Sequence, residues 1–233
     1  MKVEVIGTGN VGTQFSRIFG VSPISPRSLE VLQTDADLYI IAVSDTAVKE
    51  VADKLPATNG IVVHTTGSVP MEVLSDVACK GYGVIYPFQT ISRTRPLSAD
   101  KIPLLLEASD NETLDFLKKI VADAGFSNTE IADSQKRRQV HLTGTFACNF
   151  TNAMIAISQN ILDNCGIDRS IITPLIEETI EKLKTIPAKE AQTGPAVRKD
   201  VTTLQKHLDL LAHLKMNKEA DIYRVISDYI MNE

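Results

Sequence analysis

The hexapeptide Gly7-Thr8-Gly9-Asn10-Val11-Gly12 constrains this chain more than any other stretch of its sequence. It has the form G-x-G-x-x-G. It stands between a strand-length apolar run, residues 2–6, and a helical pattern over residues 11–19. Each glycine answers a separate steric demand. Gly7 permits a tight turn, Gly9 lets the backbone approach a pyrophosphate, and Gly12 lets the helix pack close to the strand. The helix start adds unpaired N–H groups and the positive end of a dipole. Gly7, Thr8, Gly9, Asn10, Val11 and Gly12 are therefore expected to hold a dinucleotide, the alternative being a glycine-rich turn that binds nothing. A site for NAD places an acid about 20 residues further on. Here the stretch is Val21-Ser22-Pro23-Ile24-Ser25-Pro26-Arg27-Ser28, with no acid before Glu30. Ser25, Arg27 and Ser28 offer hydroxyls and a guanidinium, which suit a 2′-phosphate, so NADP is expected over NAD. The two prolines make this second strand short and at best an edge strand.

The rest of the first half repeats short aliphatic runs, at residues 38–43, 60–64, 83–87 and 102–107. Helical stretches alternate with them, at residues 46–55 after Asp45 and at residues 111–124 after Asp110. That alternation predicts βαβ units and a parallel sheet with helices on its faces. The character changes at Asp133. Residues 135–164 read as one long helix, followed by helices over residues 170–184, 198–214 and 220–231, with residues 187–195 as a loop. The expected division is a Rossmann-like dinucleotide-binding domain over residues 1–132 and an all-α domain over residues 133–233.

Composition narrows the function classes. The chain has 233 residues, of which 43% are hydrophobic and 23% charged, within the ordinary globular range. Its 24 basic and 29 acidic residues give a net charge of −5, a field that does not favour nucleic acid. No apolar run approaches the roughly 18 residues of a membrane span, and the opening residues read as strand and turn rather than a signal peptide. Three cysteines without a CxxC pair suggest reduced thiols and a cytoplasmic protein. The four histidines are scattered, so no metal site is expected.

Several stretches together carry a resemblance: residues 7–12, Ala42-Val43-Ser44-Asp45, His64-Thr65-Thr66-Gly67-Ser68-Val69-Pro70, Tyr86-Pro87-Phe88-Gln89-Thr90, Cys148-Asn149-Phe150-Thr151-Asn152 and Thr193-Gly194-Pro195-Ala196-Val197-Arg198-Lys199-Asp200. On these residues the chain resembles the NADP oxidoreductases that join a Rossmann domain to a helical domain of unknown function. These are relatives of the deazaflavin-dependent, pyrroline-5-carboxylate reductase and ketopantoate reductase groups. The resemblance implies that the cofactor lies over the C-terminal strand ends, with Val43, Ser44 and Asp45 beside its nicotinamide half and the turn after His64 facing the reacting centre. It also implies a homodimer made through the helical domain.

Hydride transfer asks the protein for an oriented nicotinamide, a proton donor and an anchor for the substrate's charge. His64, at a strand end, and His141 and Asn149, two turns apart on the long helix, are the candidate catalytic residues. Thr65, Ser68, Asn152 and Arg198 are the candidate substrate-binding residues, Arg198 as a clamp for a carboxylate. The alternatives are ordinary: a hydrogen-bonded histidine, helix caps and solvated charges. The expected function is reduction or oxidation of a small carbonyl or imine compound bearing a carboxylate. The competing reading is a dinucleotide-binding sensor or scaffold without turnover.

Overall fold

The computed structural model describes residues 1–232 and divides into two compact units, Met1–Asn149 and Phe150–Glu233. The first is a six-stranded sheet in the order β1 (Val3–Ile6), β2 (Leu38–Ile41), β3 (Ile61–His64), β4 (Gly81–Pro87), β5 (Leu104–Ala108) and β6 (Thr129–Ile131). β1 to β4 run parallel, with Val5 beside Ile40, Ile40 beside Val63 and Val63 beside Gly83. β5 pairs with β4 antiparallel, Ile85 opposite Leu106. The parallel sheet expected from the sequence thus holds for four strands and then reverses. The cause is the connection from β4 to β5, which holds only a 3-10 turn at Ala99–Lys101 where a parallel return needs a crossover helix.

The helices α1 (Asn10–Phe19), α2 (Val48–Asp53) and α3 (Asn111–Asp123) flank this sheet. Leu38 and Ile40 of β2 join Phe15 of α1 and Leu117 and Ile120 of α3 in one core. Tyr39 and Ile41 join Val51 and Ala52 of α2 and Leu74 in the other. Burial on both faces is why these strands read as continuous apolar runs. Asp110 caps α3, accepting the Thr113 N–H at 2.8 Å.

The second strand expected over residues 21–28 is reduced to one bridge, Ile24 beside Ile6. Ile24 N–H donates to Val5 O at 2.7 Å and Ile24 O accepts from Gly7 N–H at 2.8 Å. Pro23 and Pro26 on either side have no N–H to extend the ladder.

The long helix expected over residues 135–164 is three pieces in succession: α4 (Ser134–Gly144), a π-helical turn (Thr145–Phe150) and α5 (Thr151–Asn164). α4 lies in the first unit, although the composition changes before it. Its Arg137 is fully buried, paired with Glu107 of β5 and donating to the Val69 carbonyl at 2.5 Å. Ser134 N–H reaches the same Glu107 carboxylate at 2.8 Å.

The second unit holds α5, α6 (Thr173–Lys182), α7 (Ala188–Ala191), α8 (Val201–His213) and α9 (Asn217–Asn232). The loop expected over residues 187–195 contains the single turn α7. The helix expected from Arg198 begins at Val201 instead, because Lys199 adopts φ 53° and Asp200 becomes the cap, accepting the Thr203 N–H at 3.0 Å. The buried apolar cluster of this unit is Leu211, Met216 and Ala220, with Ile161, Leu208, Leu214 and Tyr223 packed around it.

Candidate active site

The glycine turn is built by close backbone approach. Gly7 has φ 133°, and a Cβ there would lie 2.0 Å from the Ala42 carbonyl oxygen. A Cβ on Gly12 would lie 1.9 Å from the Gly7 carbonyl oxygen. Both contacts are impossible for any other residue, so both glycines shape the turn. Gly9 differs, since its Cβ would meet nothing within 4 Å. It stands at the cap of α1 without a side-chain hydrogen bond, and open space lies in front of the helix start. That space is a cleft of about 420 Å³ lined by Gly7, Thr8, Gly9, Asn10, Val11, Pro26, Ala42, Val43, Ser44 and Ala47. Seven of the expected cofactor residues are among these, and no charged side chain is.

The other five stand differently. Gly12 lies behind the turn. Ser25 closes its own turn, its carbonyl accepting from Ser28 N–H at 2.9 Å and its Oγ from Arg27 N–H at 3.3 Å. Arg27 follows the lining residue Pro26 and is exposed. Asp45 accepts a hydrogen bond from Ser68 Oγ, tying the turn after β2 to the turn after β3.

A second cleft, of about 280 Å³, opens at the C-terminal end of β4. Tyr86, Phe88, Gln89, Thr90, His141, Gly144, Thr145, Ala147, Cys148 and Asn149 line it. Tyr86 Oη lies 2.9 Å from His141 Nδ1, and the two rings meet edge to face with centroids 5.8 Å apart. Burial, with the Asp45 carboxylate adding to it, holds the Tyr86 phenol above its ordinary range, so it stays protonated at neutral pH. Two glycines make room in this cleft, Gly67 for His141 and Gly144 for Phe88. A Cβ on Gly67 would come within 2.5 Å of His141 Nδ1, and one on Gly144 within 2.9 Å of the Phe88 ring. The structure therefore brings His141 and Asn149 together in one cleft and adds Tyr86. In sequence, Tyr86 sits inside the apolar run of residues 83–87 and is not among the candidate catalytic residues.

His64 is placed elsewhere. It has no exposed surface. Its Nδ1 accepts the Thr66 N–H at 3.2 Å and Nε2 has no hydrogen-bond partner. An Nδ1 that accepts leaves the proton of the neutral ring on Nε2. Burial, then the nearby Arg137 charge, push the imidazole down to about 4, so His64 is neutral inside the unit. Thr65 is also buried, its Oγ1 directed to the Ile41 carbonyl at 3.4 Å. Neither lines a cleft; the strand-end His-Thr-Thr is turned inward. Ser68 is exposed and bonded to Asp45. Asn152 and Arg198 belong to the second unit, both exposed. That unit's apolar cavity of about 280 Å³ has α5, α8, α9 and residues 193–196 as its walls and includes neither of them. Among the described residues no group of three His, Cys, Asp or Glu could hold a metal ion, and no helix is long and apolar enough to cross a membrane.

With this geometry the chain can be set beside known proteins. Residues 102–230 match the family model described as a domain of unknown function, DUF2520. No curated protein matches the sequence. Among solved structures, a "putative NADP oxidoreductase" from Bacteroides fragilis is 29% identical with a TM-score of 0.87, over 99% of this chain and 98% of that one. A protein from Thermotoga maritima is 22% identical with a TM-score of 0.75, over 99% and 97%. A 1-pyrroline-5-carboxylate reductase from Streptococcus pyogenes is 13% identical with a TM-score of 0.61, over 100% and 99%. The last two share the fold.

Proposed function

We propose that this chain, which belongs to the DUF2520 family, is an oxidoreductase that uses NADP to reduce a small carbonyl or imine compound. The observation that carries this reading is the open face above Gly9, where a Cβ would find nothing within 4 Å while Gly7 and Gly12 are packed to contact. That pattern fits a pyrophosphate against backbone and a helix start. The names of the Bacteroides fragilis and Streptococcus pyogenes neighbours support the reaction class.

In this reading Gly7 to Val11 hold the pyrophosphate, and Val43 and Ser44 bound the nicotinamide side. Arg27, with Ser25 and Ser28, favours the 2′-phosphate; a charged hydrogen bond there corresponds to about a ten- to hundredfold preference for NADP over NAD. When bound, the reduced nicotinamide supplies a hydride. The chain supplies the proton. Tyr86 Oη–H gives it to the substrate oxygen or nitrogen, and His141 Nδ1–H returns one to the phenolate oxygen while Nε2 takes up a proton from solvent, so the phenol is restored and the ring stays neutral. Asn149 orients the accepting group from the same cleft. His64 and Thr65 hold the turn after β3, whose Gly67 leaves room for His141. A second copy of the chain covers the apolar surface of the helical unit.

Calorimetric titration tests the cofactor assignment: NADPH binds tightly and NADH weakly, and absence of binding by either refutes it. His141→Ala then leaves NADPH affinity unchanged and abolishes turnover in a screen of keto acids and imines. A second reading, a sensor without turnover, is favoured by the reduction of the second strand to the single bridge at Ile24. Under that reading the wild-type protein binds NADPH and turns over nothing in the screen.

A further inference from the structure

We infer that Arg93 is a ligand-binding residue of the dinucleotide site, donating to the pyrophosphate beside the Thr8 carbonyl. The inference rests on the dinucleotide reading above and adds a residue to it from a distant part of the chain. Arg93 lies at the tip of a tight turn between β4 and β5, where Ser92 and Arg95 form a bridge and Ser92 Oγ and Thr94 Oγ1 lie 2.9 Å apart. Its guanidinium donates to the carbonyl of Thr8, the residue between the first two glycines and part of the cleft wall.

The turn is strapped to α1 rather than loose. The almost fully buried Gln14 donates through Nε2 to Leu97 O at 2.6 Å and accepts the Leu97 N–H at 3.2 Å. Arg17 Nη1 donates to Arg93 O at 3.0 Å. These three bonds spend two side chains of α1 on holding the backbone of residues 93–97. The held backbone carries a cation to the rim of a cleft whose lining has no charge of its own. Arg93 forms no ion pair among the described residues, and a guanidinium keeps further N–H donors after one bond to a carbonyl. An unneutralised, positioned guanidinium beside a helix start is chemistry for a diphosphate, whose several oxygens accept from both kinds of donor. Asp45, the acid next to the lining residue Ser44, is occupied by Ser68 Oγ.

The probe is ADP-ribose, which carries the pyrophosphate without nicotinamide or 2′-phosphate, titrated calorimetrically in parallel with NADPH. Arg93→Ala weakens both by the same factor, about ten- to hundredfold, and reduces the salt dependence of both. Arg93→Lys restores part of the loss. Arg27→Ala weakens NADPH and leaves ADP-ribose as in the wild type. Arg93 is exposed, so an unchanged thermal melt shows the variant folded. ADP-ribose affinity within twofold of wild type in Arg93→Ala overturns the inference. If that variant instead raises KM for a carboxylate-bearing substrate with ADP-ribose unaffected, the partner is the substrate's carboxylate and the pyrophosphate assignment falls. A wild-type protein that binds neither probe overturns the dinucleotide reading and this inference together; binding retained in the variant overturns this inference alone.

Discussion

The two units of this chain solve burial differently. In the first, every strand from β1 to β3 contributes side chains to both faces, and two cores form, one under α1 and α3 and one under α2. In the second, α5 and α6 bury no residue at all, and the buried apolar residues are Ala196, Leu204, Leu211, Met216 and Ala220. Ile171, Leu175, Val201, Leu210 and Val225 are all more than half exposed. A sheet sends alternate side chains to opposite faces, and here helices of the same unit cover both. An amphipathic helix has one stripe to cover and needs a neighbour for it. The first unit finds its neighbours within itself; the second leaves stripes for something else to cover.

That contrast can be broken most forcefully at the buried ion pair. Arg137→Ala leaves Glu107 partly buried without its partner, and should cost the first unit about 3–5 kcal/mol, read from urea unfolding. An effect below about 1 kcal/mol would mean that α4 is not held as the pair implies. Next is pH. His64 is pushed down from 6.5 to about 4 in the folded unit, so the unfolded chain takes up a proton that the native state refuses. Stability from the neutral ring is complete above pH 6.5 and is lost as pH falls towards 4. At about 1.36 kcal/mol per pH unit the loss approaches about 3 kcal/mol. His64→Leu should flatten that acid limb, and an unchanged limb would remove His64 as its cause. The smallest effect sharpens the comparison. If a second copy covers the helical unit, each tenfold rise in protein concentration adds about 1.4 kcal/mol to the stability of the assembly. Calorimetric melting at several concentrations should show a transition that moves. Sedimentation showing only monomer at micromolar concentration would remove the second copy.

Much of the first unit was legible because its signals are local. The glycine turn, the apolar runs of β1 to β5 and the Asp110 cap each depend on residues within a few positions of one another. What escaped depends on distant partners. Arg137 reads as a solvated charge until Glu107 arrives from β5, and Arg93 reads as one until residues 93–97 are strapped to Gln14. β6 escaped because its three residues are all exposed at the sheet's edge. The π-helical turn escaped because Thr145-Phe146-Ala147-Cys148-Asn149-Phe150 keeps the same mixture of apolar and polar residues as an α-helix. Of the candidate site, His141 and Asn149 are expected two turns apart on one long helix, and both line one cleft although a π-helical turn interrupts that helix. Tyr86 was hidden by its apolar neighbours, and His64 looked available only because a sequence does not say which way a strand end faces.

The bridge at Ile24 has a consequence for how this protein keeps apart from its own kind. It covers the C-terminal end of β1 and leaves Val3 and Glu4 with no strand on their outer side. An uncovered strand is a template for edge-to-edge aggregation, and charge is a common way to blunt one. Lys2 and Glu4 place opposite charges along this short rim, and the Lys2 ammonium is paired with Asp35. With so little of the second strand retained, the charges along this open edge are those of Lys2, Glu4 and the Asp35 and Asp37 that Lys2 meets.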